Sequence, residues 1–327
     1  MLSKVLNLLK NSSNVAIYTH INIDCDAMGS SLAMREVLIL LGKNVDIYAN
    51  STFPSNFEFY GDLSFVNQKT CTEKYDLVLC LDAASESRLG KYKYSYRKGV
   101  KNTLCIDHHV ANEGYCKCNY VKKSSSTAEL LFEIISKLGV RFNEKICKYL
   151  LTGILTDTGK FSHGATSKTF TIVSKLLKYG NLTMEEISTP LFNSMNMNVF
   201  NLLQRVYQKI EFYSDKKLAV VMFSKEDFAE TGTTLDDTDA FPDLPMQLKC
   251  VEFSILASED EQGYFRVSLR SKGDVSARAV AESFGGGGHF NASGCKIFGN
   301  YDEIKQRLID GVIQTLGWKK WLIWQVL

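Results

Sequence analysis

Four short apolar runs near the start of this 327-residue chain constrain its fold more than any other feature. They are residues 15–20 (VAIYTH), 45–49 (VDIYA), 75–82 (YDLVLCLD) and 103–107 (TLCID). Runs this short and this apolar read as strands buried on both faces. The segments around them carry helical spacing. One helix is predicted from about residue 27 to 41, closed by Gly42, and one opens at Thr127 behind a Ser126/Glu129 capping box. Another follows Asn143 and runs to Asp157. Strands alternating with helices predict an α/β fold, a mostly parallel doubly wound sheet with helices on both faces.

The pattern changes near residue 185. Residues 186–213 have helical spacing and few strand signals, and read as a helical connector between a first domain, 1–185, and a second, 214–327. The second has strand-like runs at 217–223, 250–257 and 264–269, then a helix at 276–284, and reads as a smaller α/β domain. The tryptophan-rich end, GWKKWLIWQVL, reads as a terminal strand or helix docked on that domain.

Composition removes several classes of function. With 4 prolines and 22 glycines the chain is neither collagen-like nor disordered. A net charge of +2 does not suit a protein that grips long nucleic acid electrostatically, and leaves short, highly charged ligands open. Nine cysteines without a C-x-x-C pair read as reduced thiols, Cys116 and Cys118 included. The first 14 residues do not form a signal peptide, and no apolar run approaches the about 20 residues of a membrane span. These readings predict a cytoplasmic protein that does not engage membranes.

Carboxylates and imidazoles recur where the apolar elements end. His20, Asp24 and Asp26 follow the first run, and Asp82 closes the third. Asp107, His108 and His109 close the fourth, and Asp157 ends an apolar helix. In an open parallel sheet these ends form one rim, where ligands collect. So many converging carboxylates repel one another unless cations intervene. Oxygen and nitrogen donors without thiolate suit manganese, magnesium, cobalt or zinc. Two such ions about 3.5–4 Å apart lower the pKa of a shared water and clamp the attacking and leaving oxygens of a phosphate.

The motifs HINIDCD, LCLDAA, CIDHHV and LTDTGKF resemble those of the DHH phosphoesterase superfamily. LRSKGDVSARAVAESFGGGGHFNASG resembles its type-1 DHH-associated C-terminal domain, with Ser293 where alanine is more usual. The nearest branch is that of the stand-alone oligoribonucleases and pAp phosphatases. The resemblance implies one metal held by His20, Asp24 and Asp82, and a second held by Asp26, Asp82, His108 and Asp157. It implies His109 at the scissile phosphate, with Asp107 orienting an imidazole, and two divalent cations, manganese first and magnesium or cobalt as alternatives.

The glycine run 285–288 is readable independently. Glycine backbone can approach a ligand closely, so the amides of Gly286, Gly287 and Gly288, with Arg270 and His289, would suit a second phosphate or nucleotide terminus. By resemblance this domain holds the substrate's nucleotide across a cleft from the metals. Arg88 could reach a phosphate but reads first as a surface arginine, the Lys/Tyr strip 91–98 as a solvated edge before an RNA-stacking strip, and His163 as a loop or rim residue without an assigned role.

The expected activity is hydrolysis of short RNA oligonucleotides to mononucleotides and of 3′-phosphoadenosine 5′-phosphate (pAp) to AMP. Short RNAs and nucleotide bisphosphates are the expected partners, with room for a homodimer. A cyclic-dinucleotide or pApA phosphodiesterase would share every motif, whereas a non-catalytic nucleotide- or RNA-binding module would show a broken metal set. Here the set is complete.

Overall fold

The predicted strands pair as one parallel sheet. The computed structural model describes residues 1–50, 59–71, 74–238 and 241–318, together with the backbone of 324–325. They divide into two compact units, Met1–Ser194 and Met195–Leu327. The helical segment 186–213 is shared between the two.

In the first unit, α1 (Leu2–Asn11), β1 (Asn14–Tyr18), α2 (Cys25–Leu40), β2 (Asn44–Tyr48), β3 (Leu77–Leu81), β4 (Asn102–Asp107) and β5 (Cys118–Val121) precede four helices. These are α3 (Thr127–Leu138), α4 (Glu144–Asp157), α5 (Ser167–Gly180) and α6 (Met184–Phe192). The sheet order is β2-β1-β3-β4-β5, with every pair parallel. Short β5 has little apolar signal of its own and is recruited as the edge strand beside β4.

Alternation along the strands sends side chains to two cores. Val15, Ile17, Leu77, Leu79, Leu104 and Ile106 join the large core that packs the α-helices, including Val5 and Leu9 of α1. Ala16, Tyr18, Val78, Cys80 and Cys105 face the other way. There the cover is the stretch around a 3-10 segment, Glu86–Tyr92, which contributes Leu89 and Tyr96. That placement explains the Lys/Tyr strip. Tyr96 is buried, Tyr92 packs at the core margin, and of the strip's three tyrosines only Tyr94 is fully in solvent. The predicted capping box at Ser126 is half made. Ser126 Oγ accepts the Glu129 N–H, but the Glu129 carboxylate turns to the Ser125 and Thr169 hydroxyls and Lys168, a stronger set of donors in its buried position.

The second unit comprises α7 (Met197–Lys209), β6 (Glu211–Tyr213), β7 (Leu218–Phe223), α8 (Lys225–Thr231), β8 (Phe253–Glu259) and β9 (Tyr264–Ser271). After these come α9 (Ala277–Ser283), β10 (Gly287–Gly288), β11 (Ala292–Phe298), α10 (Tyr301–Leu316) and β12 (Trp324–Gln325). Its sheet runs β10-β11-β9-β8-β7-β6-β12 and is antiparallel except at β7–β8. Alternate residues of β7 face separate cores: Leu218, Val220 and Met222 one, Ala219, Val221 and Phe223 the other. The expected docking of the tail is met by β12, whose backbone pairs with β6; residues 319–323 and 326–327 lie outside the described residues. All nine cysteines are free thiols, seven of them buried. No helix among the described residues is long and apolar enough to cross a membrane.

Candidate metal centre and active site

The carboxyl ends of β1, β3 and β4 and the ends of α2, α3 and α4 bring the predicted rim residues together. The helix predicted from residue 27 starts at Cys25, because Asp24 caps it: Asp24 Oδ1 accepts the Ala27 N–H at 2.9 Å. Asp26 therefore lies in the first turn, aimed inward and buried. Asp82 sits just past β3 with φ +55°, a left-handed conformation that Asp tolerates better than most residues. His108 and His109 follow β4, and Asp157 is the last residue of α4.

Three groups of donors are close enough to hold metal: His20, Asp24 and Asp82; Asp26, His108 and Asp157; and Asp82, Asp107, His108 and His109. Asp82 joins the first to the third with different oxygens. Its Oδ2 lies 3.6 Å from His20 Nε2, and its Oδ1 3.5 Å from His108 Nε2. His20 Nε2 is also 3.4 Å from Asp24 Oδ2, and His108 Nε2 is 3.3 Å from Asp157 Oδ2. Adjacent donors about 2.1 Å from one small cation sit roughly 3 Å apart, so these pairs need little adjustment.

Both imidazoles are oriented as ligands. His20 Nδ1 lies 2.6 Å from the Ile21 carbonyl oxygen, and His108 Nδ1 3.3 Å from that of Ser124. A carbonyl only accepts, so each Nδ1 carries a proton and each Nε2 faces the carboxylates, the nitrogen left to bind a metal. His109 is held differently. Its Nδ1 donates to Asp107 Oδ1 at 2.7 Å, and the other Asp107 oxygen accepts from Asn112 Nδ2 at 2.7 Å.

Without cations the cluster is electrostatically frustrated. Burial, and then the charges of Asp82, Asp157 and Asp24, raise the Asp26 carboxyl well above the usual range. Asp157 is pushed up to about 7, by burial and then, against the pull of His108, by Asp82 and Asp24. Burial alone would depress His20, but Asp24 and Asp82 outweigh it and raise it well above the ordinary histidine value. Divalent cations relieve all three conflicts at once, so the residues present fit the metals.

Several supporting residues carried no sequence signal. Thr127, wholly buried at the start of α3, donates its hydroxyl to Asp82 Oδ1 at 2.8 Å. The Thr127 and Ala128 N–H groups donate to Asp26 at 2.7 and 3.0 Å. An ideal Cβ on Gly153 of α4 would lie 2.5 Å from Asp26 Oδ1, so only glycine leaves room there. Arg88, expected at the surface, is half-buried at the site, with Nη2 3.2 Å from His20 Nδ1. The constrained turn at Gly90 carries it inward.

Comparison with known proteins now decides the kinship. The profile of the DHH family N-terminal domain matches residues 14–154, and that of the DHHA1 domain residues 215–316. The bifunctional oligoribonuclease and PAP phosphatase NrnA of Thermus thermophilus is 30% identical over 309 residues, 92% of this chain and 90% of that protein. This chain belongs to the DHH family. The NrnA of Bacillus subtilis is 27% identical over 322 residues, 97% of this chain and 98% of that one. The fold matches the crystal structure of an exopolyphosphatase-related protein from Bacteroides fragilis, with a TM-score of 0.88 at 24% identity, covering 96% of this chain and 95% of that one. As a DHH-family member the chain is a metal-dependent hydrolase of phosphoesters.

In the DHHA1 domain of this DHH protein the glycine run has structural work. Gly285, at φ +74°, ends α9. A Cβ on Gly286 would lie 2.2 Å from the Gly294 carbonyl oxygen, and one on Gly288 2.7 Å from Ser293 Cα, while Gly287 opens on free space. The amides expected to face a ligand are partly spent. Gly285, Gly286 and His289 N–H groups donate to the carbonyls of Glu282, Ala281 and Ala292. The first two close the end of α9, and the third follows from the edge strand β10 pairing with β11. Ser293, in the alanine position, donates its hydroxyl to the His289 carbonyl at 2.6 Å and pins this loop. Arg270 lies opposite Ala292 in the sheet and pairs with the exposed Asp243 at 3.0 Å.

Proposed function

We propose that this DHH-family enzyme hydrolyses short RNA oligonucleotides to mononucleotides and pAp to AMP, as the names of its NrnA relatives describe for those proteins. The observation that carries the reading is the division of Asp82, whose two oxygens face two imidazole–carboxylate groups. Two divalent cations, manganese in our reading with magnesium or cobalt as substitutes, would be held by His20, Asp24 and Asp82 and by Asp26, Asp82, His108 and Asp157. When bound they supply Lewis acidity and a water of lowered pKa.

The protein groups then have separate tasks. Water adds to phosphorus as the opposite P–O ester bond breaks; the water loses one proton and the departing oxygen gains one. His109 is the donor for that oxygen. Burial works against its charge, but its hydrogen bond to Asp107, with Asp82 close by, raises its pKa above the ordinary histidine value, in the direction a proton donor needs. Asp107 keeps the ring turned with Nδ1–H inward. In the second domain, Arg270, His289 and the glycine run at Gly286, Gly287 and Gly288, open to a ligand at Gly287, would take the nucleotide end of the substrate, in the division of labour read for 1–185 and 214–327. Small anionic substrates suit a chain of net charge +2.

The test is direct. Purified protein with manganese should release mononucleotides from a labelled RNA dimer and phosphate from pAp. Cleavage of a cyclic dinucleotide with neither of these would replace the proposed substrates, and nucleotide binding without any hydrolysis would remove the enzymatic reading.

A further inference from the structure

Arg88 is a half-buried cation whose position the fold specifies closely. It lies in the 3-10 segment Glu86–Tyr92, whose backbone is tied to neighbouring loops. The Ile21 N–H donates to the Arg88 carbonyl at 2.8 Å, Asn50 Nδ2 to the Leu89 carbonyl at 3.0 Å, and the Lys91 N–H to Asn50 Oδ1 at 2.9 Å. Leu89 is fully buried. Gly90 permits this approach. At φ +56°, a Cβ there would lie 2.3 Å from Ile21 Cγ2 and 2.5 Å from Asn50 Oδ1.

The guanidinium so placed has no carboxylate partner among the described residues, unlike Arg97 with Glu86 and Lys168 with Glu129 and Glu133. Its polar neighbour among the described residues is His20 Nδ1. That nitrogen already donates to the Ile21 carbonyl and offers no lone pair. Arg88 therefore brings donors to the metal cluster without spending them on it. Acidic side chains surround the cluster, yet none has drawn the guanidinium into an ion pair.

We infer that Arg88 is a catalytic residue that donates to a non-bridging phosphoryl oxygen of the substrate beside the His20 side of the metal centre. The inference rests on the phosphoester reading of that site and adds a protein cation to it. A planar guanidinium meets two phosphate oxygens with paired N–H bonds, and does so best where charge gathers in the transition state. The turn fixes the backbone from which Arg88 reaches, so its guanidinium already lies beside the metal cluster.

Full-length Arg88→Met and Arg88→Lys with manganese test it by two measurements besides turnover: metal content, and affinity for inorganic phosphate by calorimetry. Arg88→Met should keep wild-type metal content, bind phosphate at least about tenfold more weakly, and lose about 10²–10³ in kcat on pAp and an RNA dimer. Arg88→Lys should recover part of both. Three results would overturn it: phosphate affinity and kcat within threefold of wild type; loss of metal along with phosphate, which makes Arg88 a support for His20; or wild-type protein that binds no phosphate with manganese present. Should wild type cleave neither nucleotide while phosphate binding still depends on Arg88, the proposed substrates fail and the inference stands.

Discussion

Buried carboxylates are handled in opposite ways in the two units. In the second, Asp227 is buried and fully compensated: Arg205 reaches it at 2.7 Å, Lys209 binds its other oxygen, and it closes the capping box at Ser224. In the first, Asp26 and Asp82 are as deeply buried, and with Asp157 they face histidines and one another without a lysine or arginine partner among the described residues. A structural carboxylate is matched by the chain's own cations. A functional cluster keeps its charge unmatched, and the resulting repulsion is what binds metal.

The largest test of this contrast is Asp82→Ala. It should abolish hydrolysis, by about 10³-fold or more, and lower metal content, with the fold retained by circular dichroism. Retained activity would mean that Asp82 does not join the two groups. Next come the supports. Thr127→Val and Asp107→Asn should each cost about 10–100-fold in kcat or metal affinity, because each misaims a group that acts on metal or substrate. Asp227→Ala should do the reverse, leaving kcat near wild type while costing about 2 kcal/mol of stability measured by denaturant unfolding.

The smallest effect is the pH dependence of the metal-free protein. Asp157 holds its proton up to about 7 when folded and only to about 4 when unfolded, so between these values the native state binds more protons. Stability contributed by that proton is present at low pH and lost as pH rises toward 7. His20, raised well above its ordinary value, acts in the same direction at higher pH. The melting temperature of chelator-treated protein should fall from pH 5 to pH 8, and manganese should abolish the fall. A flat metal-free profile would show that the cluster is not frustrated.

Much of the candidate metal centre was legible because its donor residues are local. An acid or imidazole at the end of an apolar run needs only the rule that parallel strands end together to be placed on one rim. Thr127, Asn112 and Gly153 were not legible. Each resembles an ordinary cap, loop or helix residue until β3, β4 and α4 bring it against Asp82, Asp107 and Asp26. Arg88 was read as a surface residue because the five residues between it and Asp82 conceal the turn that folds it back. The glycine run was read mainly for its ligand, whereas the end of α9 and strand β11 claim much of its backbone.

The sequence by itself determined the class of fold and the donor atoms, since apolar periodicity and side-chain chemistry are properties of short segments. Tertiary structure decided which oxygen of Asp82 faces which imidazole, which nitrogen of His20 and of His108 faces the carboxylates, and that Arg88 lies at the cluster without an acidic partner among the described residues. Those depend on angles and distances of a few ångströms between segments far apart in the chain. Only packing sets them.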